Sequence, residues 1–158
     1  MDRKTVAEFE KFMKLALREA GRARDGGEVP VGAVVVLKGK VIGRGFNRTI
    51  GWCDPSAHAE IVALRQAAKR LHNYRLAGCD LVVSLEPCAM CLGAAIQARV
   101  SRIVFGAADP QAGAVSSLGR IPFVKMNHRP EIWKGILGSA CGQVLKDFFK
   151  ARRRKPSS

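Results

Sequence analysis

The chain has 158 residues, 47% of them hydrophobic, and its 27 Lys and Arg against 13 Asp and Glu give a net charge of +14. That length suits one domain around a single core, and the composition is that of a globular and not a disordered chain. The longest mostly apolar run, Val29 to Leu37, holds nine residues and contains Pro30 and Gly32. It falls short of the ~20 residues that cross a bilayer, and Met1-Asp2-Arg3-Lys4 leads into no apolar leader segment, so no membrane association and a cytoplasmic location are expected.

In chain order, Thr5-Val6-Ala7-Glu8 has the form of a capping box. Phe9, Phe12, Met13, Ala16 and Ala20 follow at helical spacing, which predicts a helix to about Arg24, before Gly26-Gly27. Val31 to Leu37 reads as a buried strand, Lys38-Gly39-Lys40 as a turn and Val41 to Asn47 as its hairpin partner. After a loop from Thr49 to Pro55, Ala57 to Leu71 carries a helical stripe of Ile61, Leu64, Ala68 and Leu71. Leu81 to Leu85 is a short strand, Cys88 to Ala98 a helix and Ser101 to Phe105 another strand. Ala107 to Lys125 is mostly loop, Glu131 to Ile136 a last strand, and Cys141 to about Arg154 a final helix, with a frayed end from Lys155 to Ser158. A hairpin followed by alternating helices and strands predicts α/β layers around one mixed sheet.

Five cysteines are an odd number, and two lie close together as Cys88 and Cys91. Without a secretory leader such a pair points to metal or redox chemistry before a disulfide framework. Cys53, Cys79 and Cys141 read as structural thiols. Pro87-Cys88-Ala89-Met90-Cys91 opens the third helix, and a first helical turn puts both sulfurs on one side. His58-Ala59-Glu60 opens the second helix. Residues two apart do not share a helix face, so His58 and Glu60 converge only beyond the helix end, toward which helical side chains lean. A metal there lies off the starts of two helices, whose partial positive charge favours thiolates. His58, Cys88 and Cys91 are good zinc ligands, and three protein ligands leave the fourth tetrahedral position for water. Glu60 is then a proton carrier and not a ligand. The alternative is a closed structural zinc site, with Cys53, Cys79 or His128 as fourth ligand.

His58-Ala59-Glu60 followed by Pro87-Cys88-Ala89-Met90-Cys91 resembles the cytidine-deaminase-like superfamily. Glu28 to Ala33, Gly45 to Arg48, Asp54 to Glu60, Leu85 to Cys91, Met126-Asn127-His128 and Asp147-Phe148-Phe149 together resemble its bacterial tRNA adenosine deaminase branch, over nearly the whole chain. Length and pattern give a single domain over residues 1–158, a deaminase domain by this resemblance, with 141–155 a basic C-terminal helix. The resemblance also implies a three-layer α/β/α sandwich around a mixed five-stranded sheet, a homodimer, one Zn2+ per chain, and inosine formation at the wobble adenosine of the anticodon stem-loop of an arginine tRNA. By matching positions, it implies that Asn47 and the Ala59 amide hold the base, that Glu28, Val29 and Pro30 form pocket wall, and that Asp109, Asn127, Phe149 and Arg153 touch flipped-out loop nucleotides. Departures are Ala108 and Gln111 around Asp109, Trp52-Cys53 before Asp54, and a loop from Ser116 to Lys125 that is one residue short.

The charge and the last helix agree with an RNA partner. Lys146, Lys150, Arg152, Arg153, Arg154 and Lys155 surround Phe148 and Phe149, and rings beside cations suit unstacked bases and phosphates. Phe148 is expected to dock the helix with Val144 and Leu145, and Phe149 to face RNA. Arg24, Arg48 and Arg75 are candidates to extend the patch. The competing readings are a deaminase of free bases or nucleotides, one acting on adenine in single-stranded DNA, and a catalytically silent zinc-containing RNA-binding subunit.

Overall fold

The computed structural model describes residues 2–117, 122 and 125–154; Lys155 to Ser158 and part of the 107–125 loop lie outside the described residues. Helix α1 (Arg3–Asp25) leads into the hairpin β1 (Gly32–Leu37) and β2 (Lys40–Phe46). Then come α2 (Ala59–Leu71), β3 (Cys79–Leu85), α3 (Ala89–Gln97), β4 (Arg102–Ala107), β5 (Glu131–Lys134) and α4 (Gly138–Arg154). The strands form one five-stranded sheet in the order β2-β1-β3-β4-β5. β1 is antiparallel to β2 and β3, while β4 is parallel to β3 and β5. The mixed sheet is the expected one.

Strand side chains alternate between two cores, as a period of two requires. Val34, Val36, Val82 and Val104 meet Phe9, Phe12, Met13 and Ala16 of α1 and Cys141 of α4. Ala33, Val35, Leu81, Val83, Ile103 and Phe105 meet α2 and α3 through Ala63, Leu64, Ala67, Leu92 and Ile96. α1 and the start of α4 thus cover one face and α2 and α3 the other, giving three layers. Among the described residues no helix is long and apolar enough to cross a membrane.

Five boundaries differ from expectation for identifiable reasons. The Thr5–Glu8 capping box does not form: the Asp2 carboxylate accepts from the Lys4 amide at 3.2 Å, so α1 starts at Arg3 and Thr5 lies inside it. β5 stops at Lys134 because Gly135 turns left-handed at φ 83°, a region glycine enters without a Cβ penalty. α4 then begins three residues early, at Gly138. The last two matter most: α2 and α3 start one residue after His58 and Cys88, which are their N-caps.

Candidate active site

The sheet brings two helix starts together. Gly45 of β2 faces the Ala59 backbone so closely that a Cβ there would collide with it, which pins the start of α2 against the end of β2. Asn47, one residue beyond β2, accepts through Oδ1 from the Ala59 amide at 2.9 Å. His58 precedes that amide with φ −73° and ψ 155°, and Cys88 opens α3 with φ −75° and ψ 176°. Neither side chain makes a capping hydrogen bond. Both are instead turned to a common point.

At that point His58 Nδ1 lies 3.6 Å from Cys88 Sγ and 3.5 Å from Cys91 Sγ, and the three ligand atoms lie within 4.8 Å of one another. A tetrahedral zinc with its usual bond lengths separates nitrogen from sulfur by ~3.6 Å, so the donor set and its spacing fit that ion. No fourth His, Cys, Asp or Glu joins the group among the described residues. Cys53 is exposed, Cys79 is buried in β3, and His128 gives its Nε2 to the Val100 carbonyl at 2.6 Å. The closed structural site therefore lacks its fourth ligand among the described residues.

The electrostatics follow from burial and contact. Without metal, the Cys91 hydrogen bond, aided by His58, draws the Cys88 thiol down to about 3 against burial. Cys91, hydrogen-bonded to that thiolate and buried, is pushed far up. The Cys88 contact also raises His58. Glu60, in the first turn of α2 and only 4% exposed, is lifted to about 7 by burial, which suits a group that takes and returns a proton near neutral pH.

A groove of about 770 Å³, lined in part by Val29, Leu85, Asp109, Leu145, Phe149 and Arg153, includes the end of β3, three residues before Cys88. Four of the residues singled out in the sequence thus meet in one place. Glu28 is buried and spends its carboxylate on the turn after Asn47, accepting from the Ile50 and Gly51 amides at 3.0 and 2.8 Å. Pro30 is buried just before β1, and Asn127 is exposed on a bend outside the groove lining. Phe148 is buried and Phe149 is 45% exposed, as their positions around the helix imply.

Sequence reasoning assigned no role to Glu86. Its buried carboxylate accepts from the amides of Asp109 (3.1 Å), Val115 (3.1 Å), Ser116 (2.8 Å) and Ser117 (3.1 Å), and from the Ser117 hydroxyl. Burial raises this carboxyl, but the hydrogen bonds outweigh it and leave it below the usual range. Glu86 thereby ties the Asp109 wall of the groove to the strand end that carries Pro87 and Cys88.

Comparison with known proteins agrees with this geometry. Residues 7–153 match the MafB19-like deaminase family. A tRNA-specific adenosine deaminase of Haemophilus influenzae is 48% identical over 157 residues, covering 96% of this chain and 90% of that protein. The chain belongs to the tRNA-specific adenosine deaminase family. A second family member, from Agrobacterium fabrum, is 45% identical over 94% of this chain and 98% of its own. A solved structure, from work on A-to-I editing by tRNA:A34 deaminases at the wobble position of transfer RNA, superposes with a TM-score of 0.81 and 46% identity. It covers 85% of this chain and 99% of the other. The fold is accordingly cytidine-deaminase-like.

Proposed function

We propose that this chain is a zinc-dependent hydrolytic deaminase that converts adenosine to inosine at the wobble position of a tRNA anticodon, that of an arginine tRNA. The observation that carries this reading is the placement of Glu60, buried and raised to about 7, against a His58, Cys88 and Cys91 set whose spacing fits zinc. A structural knuckle or a silent subunit has no use for such a carboxyl.

The reaction adds water at C6 of adenine and releases ammonia. Zinc, when bound, supplies a Lewis acid that makes water nucleophilic at neutral pH. Glu60 takes a proton from the attacking water, passes it to N1 of the ring and helps protonate the departing amine. Asn47 has its oxygen committed to the Ala59 amide, which leaves its side-chain NH2, without a partner among the described residues, to donate to the base. Ala59 thus contributes by holding Asn47. Val29 and the buried Glu28 and Pro30 shape the entrance, and Asp109, Asn127, Phe149 and Arg153 serve the flanking nucleotides. The target base must leave its stack to react, and the basic surface holds the loop while it does.

The working form in this reading is a cytoplasmic homodimer. Its proposed contact is the outer face of α2 and α3, where Ile61, Leu64, Ala68, Tyr74, Ala94 and Ala98 line an apolar hollow of about 350 Å³.

Ammonia release measured on an anticodon stem-loop, on single-stranded DNA of the same sequence, and on free adenosine, cytosine and guanine tests the substrate, with inosine as the product expected in the stem-loop. The stem-loop is expected to be the best of these. Equal or faster turnover of a free base, or of the DNA, would overturn the assignment.

A further inference from the structure

One surface beside the active site is used neither by the metal centre nor by the groove. The Arg48 guanidinium lies 4.1 Å from the Phe46 ring centroid and 4.9 Å from that of Trp52, both within cation–π range. Arg22 stands over Phe46 at 5.4 Å. Cations and rings therefore run as Arg22, Phe46, Arg48, Trp52. Trp52 ends the series and is 49% exposed, next to Ile50 at 61%.

The turn that presents this ring is tightly tied. The Trp52 amide donates to the Arg48 carbonyl at 2.9 Å, that of Cys53 to Ile50 at 3.1 Å and that of Asp54 to Thr49 at 3.1 Å. The Glu28 carboxylate holds the Ile50 and Gly51 amides from below. The same turn is bonded to the catalytic segment: the Arg48 amide donates to the Ala57 carbonyl at 2.9 Å, and Asn47 receives the Ala59 amide. A large apolar ring held rigidly in water, backed by a cation and attached to the base-holding Asn47, has the make-up of a nucleotide platform. Every base has a π face to stack, and each nucleotide brings a phosphate for the arginines. Arg22 and Arg48 beside the ring favour an occupant that carries phosphate.

We propose that Trp52, backed by Arg48, is a stacking site for an unpaired base of the RNA loop, separate from the groove between Val29 and Phe149. The site rests on the RNA reading of the chain.

The chain has two tryptophans, so Trp133→Phe leaves Trp52 as the only indole and keeps a ring against Phe9. Titrating this variant with an anticodon stem-loop RNA is expected to quench Trp52 fluorescence in step with binding. In the otherwise unchanged chain, Trp52→Ala is expected to weaken stem-loop binding about 5-fold or more, the lower end for one stacked base, and Trp52→Phe to recover much of it. Zinc content and melting temperature should stay at the parent values. Unchanged fluorescence at saturating RNA, with parent-like binding by Trp52→Ala, overturns the platform alone. So does a Trp52→Ala variant that shifts sedimentation without RNA, because Trp52 is then covered by a second copy. If the parent chain neither binds nor deaminates the stem-loop, the RNA reading falls and the platform with it.

Discussion

His58 and Cys88 stand where helices usually carry Ser, Thr, Asp or Asn, and each forgoes the capping bond that such a residue would make. The grouping of His58, Cys88 and Cys91 was legible because few other arrangements need a histidine, a carboxylate two positions on and a Pro-Cys-x-x-Cys. The side on which His58 and Glu60 converge was legible too, since i and i+2 meet only off a helix end. Glu86 was not. Its donors lie 23 to 31 residues downstream, and no local spacing announces them. Glu60→Gln is expected to keep zinc and fold and to lose about 10²–10⁴-fold in kcat; a variant that loses its zinc instead makes Glu60 a ligand. Glu86→Gln replaces an acceptor that faces five donors, and at neutral pH the unmet groups should cost about 1–3 kcal/mol. The Glu86 carboxyl is held below its ordinary value in the fold, so its stabilisation is present above the unfolded glutamate value of ~4.3 and is lost as pH falls through the lower folded value. Melting of zinc-free protein should therefore show a gap between parent and Glu86→Gln that closes with acid. A gap that is constant or widens contradicts this role.

Among the elements, the strands were the most legible, because alternation sorts their side chains cleanly onto two helix layers. The helix starts were the least, because a cap is decided by which nearby oxygen reaches the first amides. Asp2 outbid Thr5 for α1, and the Gly135 turn let α4 begin before the Cys141 expected from its apolar spacing. α4 also divides its charges in a way that composition hid. Arg152 lies over Phe148 at 5.0 Å and donates to the Gly27 carbonyl at 3.4 Å, so it helps fasten the helix to the end of α1. Both arginines line the groove beside Phe149, but Arg153 makes no such tie to α1 among the described residues. Arg153→Ala is expected to flatten the log–log salt dependence of stem-loop binding by about 0.7 for one phosphate contact while leaving the melting temperature alone. Arg152→Ala should lower the melting temperature and move the salt slope less. Identical effects from the two substitutions would mean that both charges are merely part of a solvated face.

For the molecule as a whole, the net charge of +14 announced a polyanionic partner before any motif was read, but it did not say which face that partner uses. The apolar outer face of α2 and α3 was hidden as well, since Tyr74 and Ala94 carry no interface signal until the fold sets them side by side. Sedimentation at micromolar concentration is expected to give a species near twice 17.1 kDa, and Ala94→Arg to reduce it to the monomer without loss of fold. A monomeric parent chain rules the dimer out. The proposed chemistry depends on a zinc ion held by His58, Cys88 and Cys91, and the most direct test is a zinc titration of metal-stripped protein with inosine formed in an anticodon stem-loop as the readout. Activity should rise in proportion to added zinc, break at one ion per chain, and be absent at every zinc level from Cys88→Ala. Full activity in zinc-free protein, or in Cys88→Ala, would contradict it.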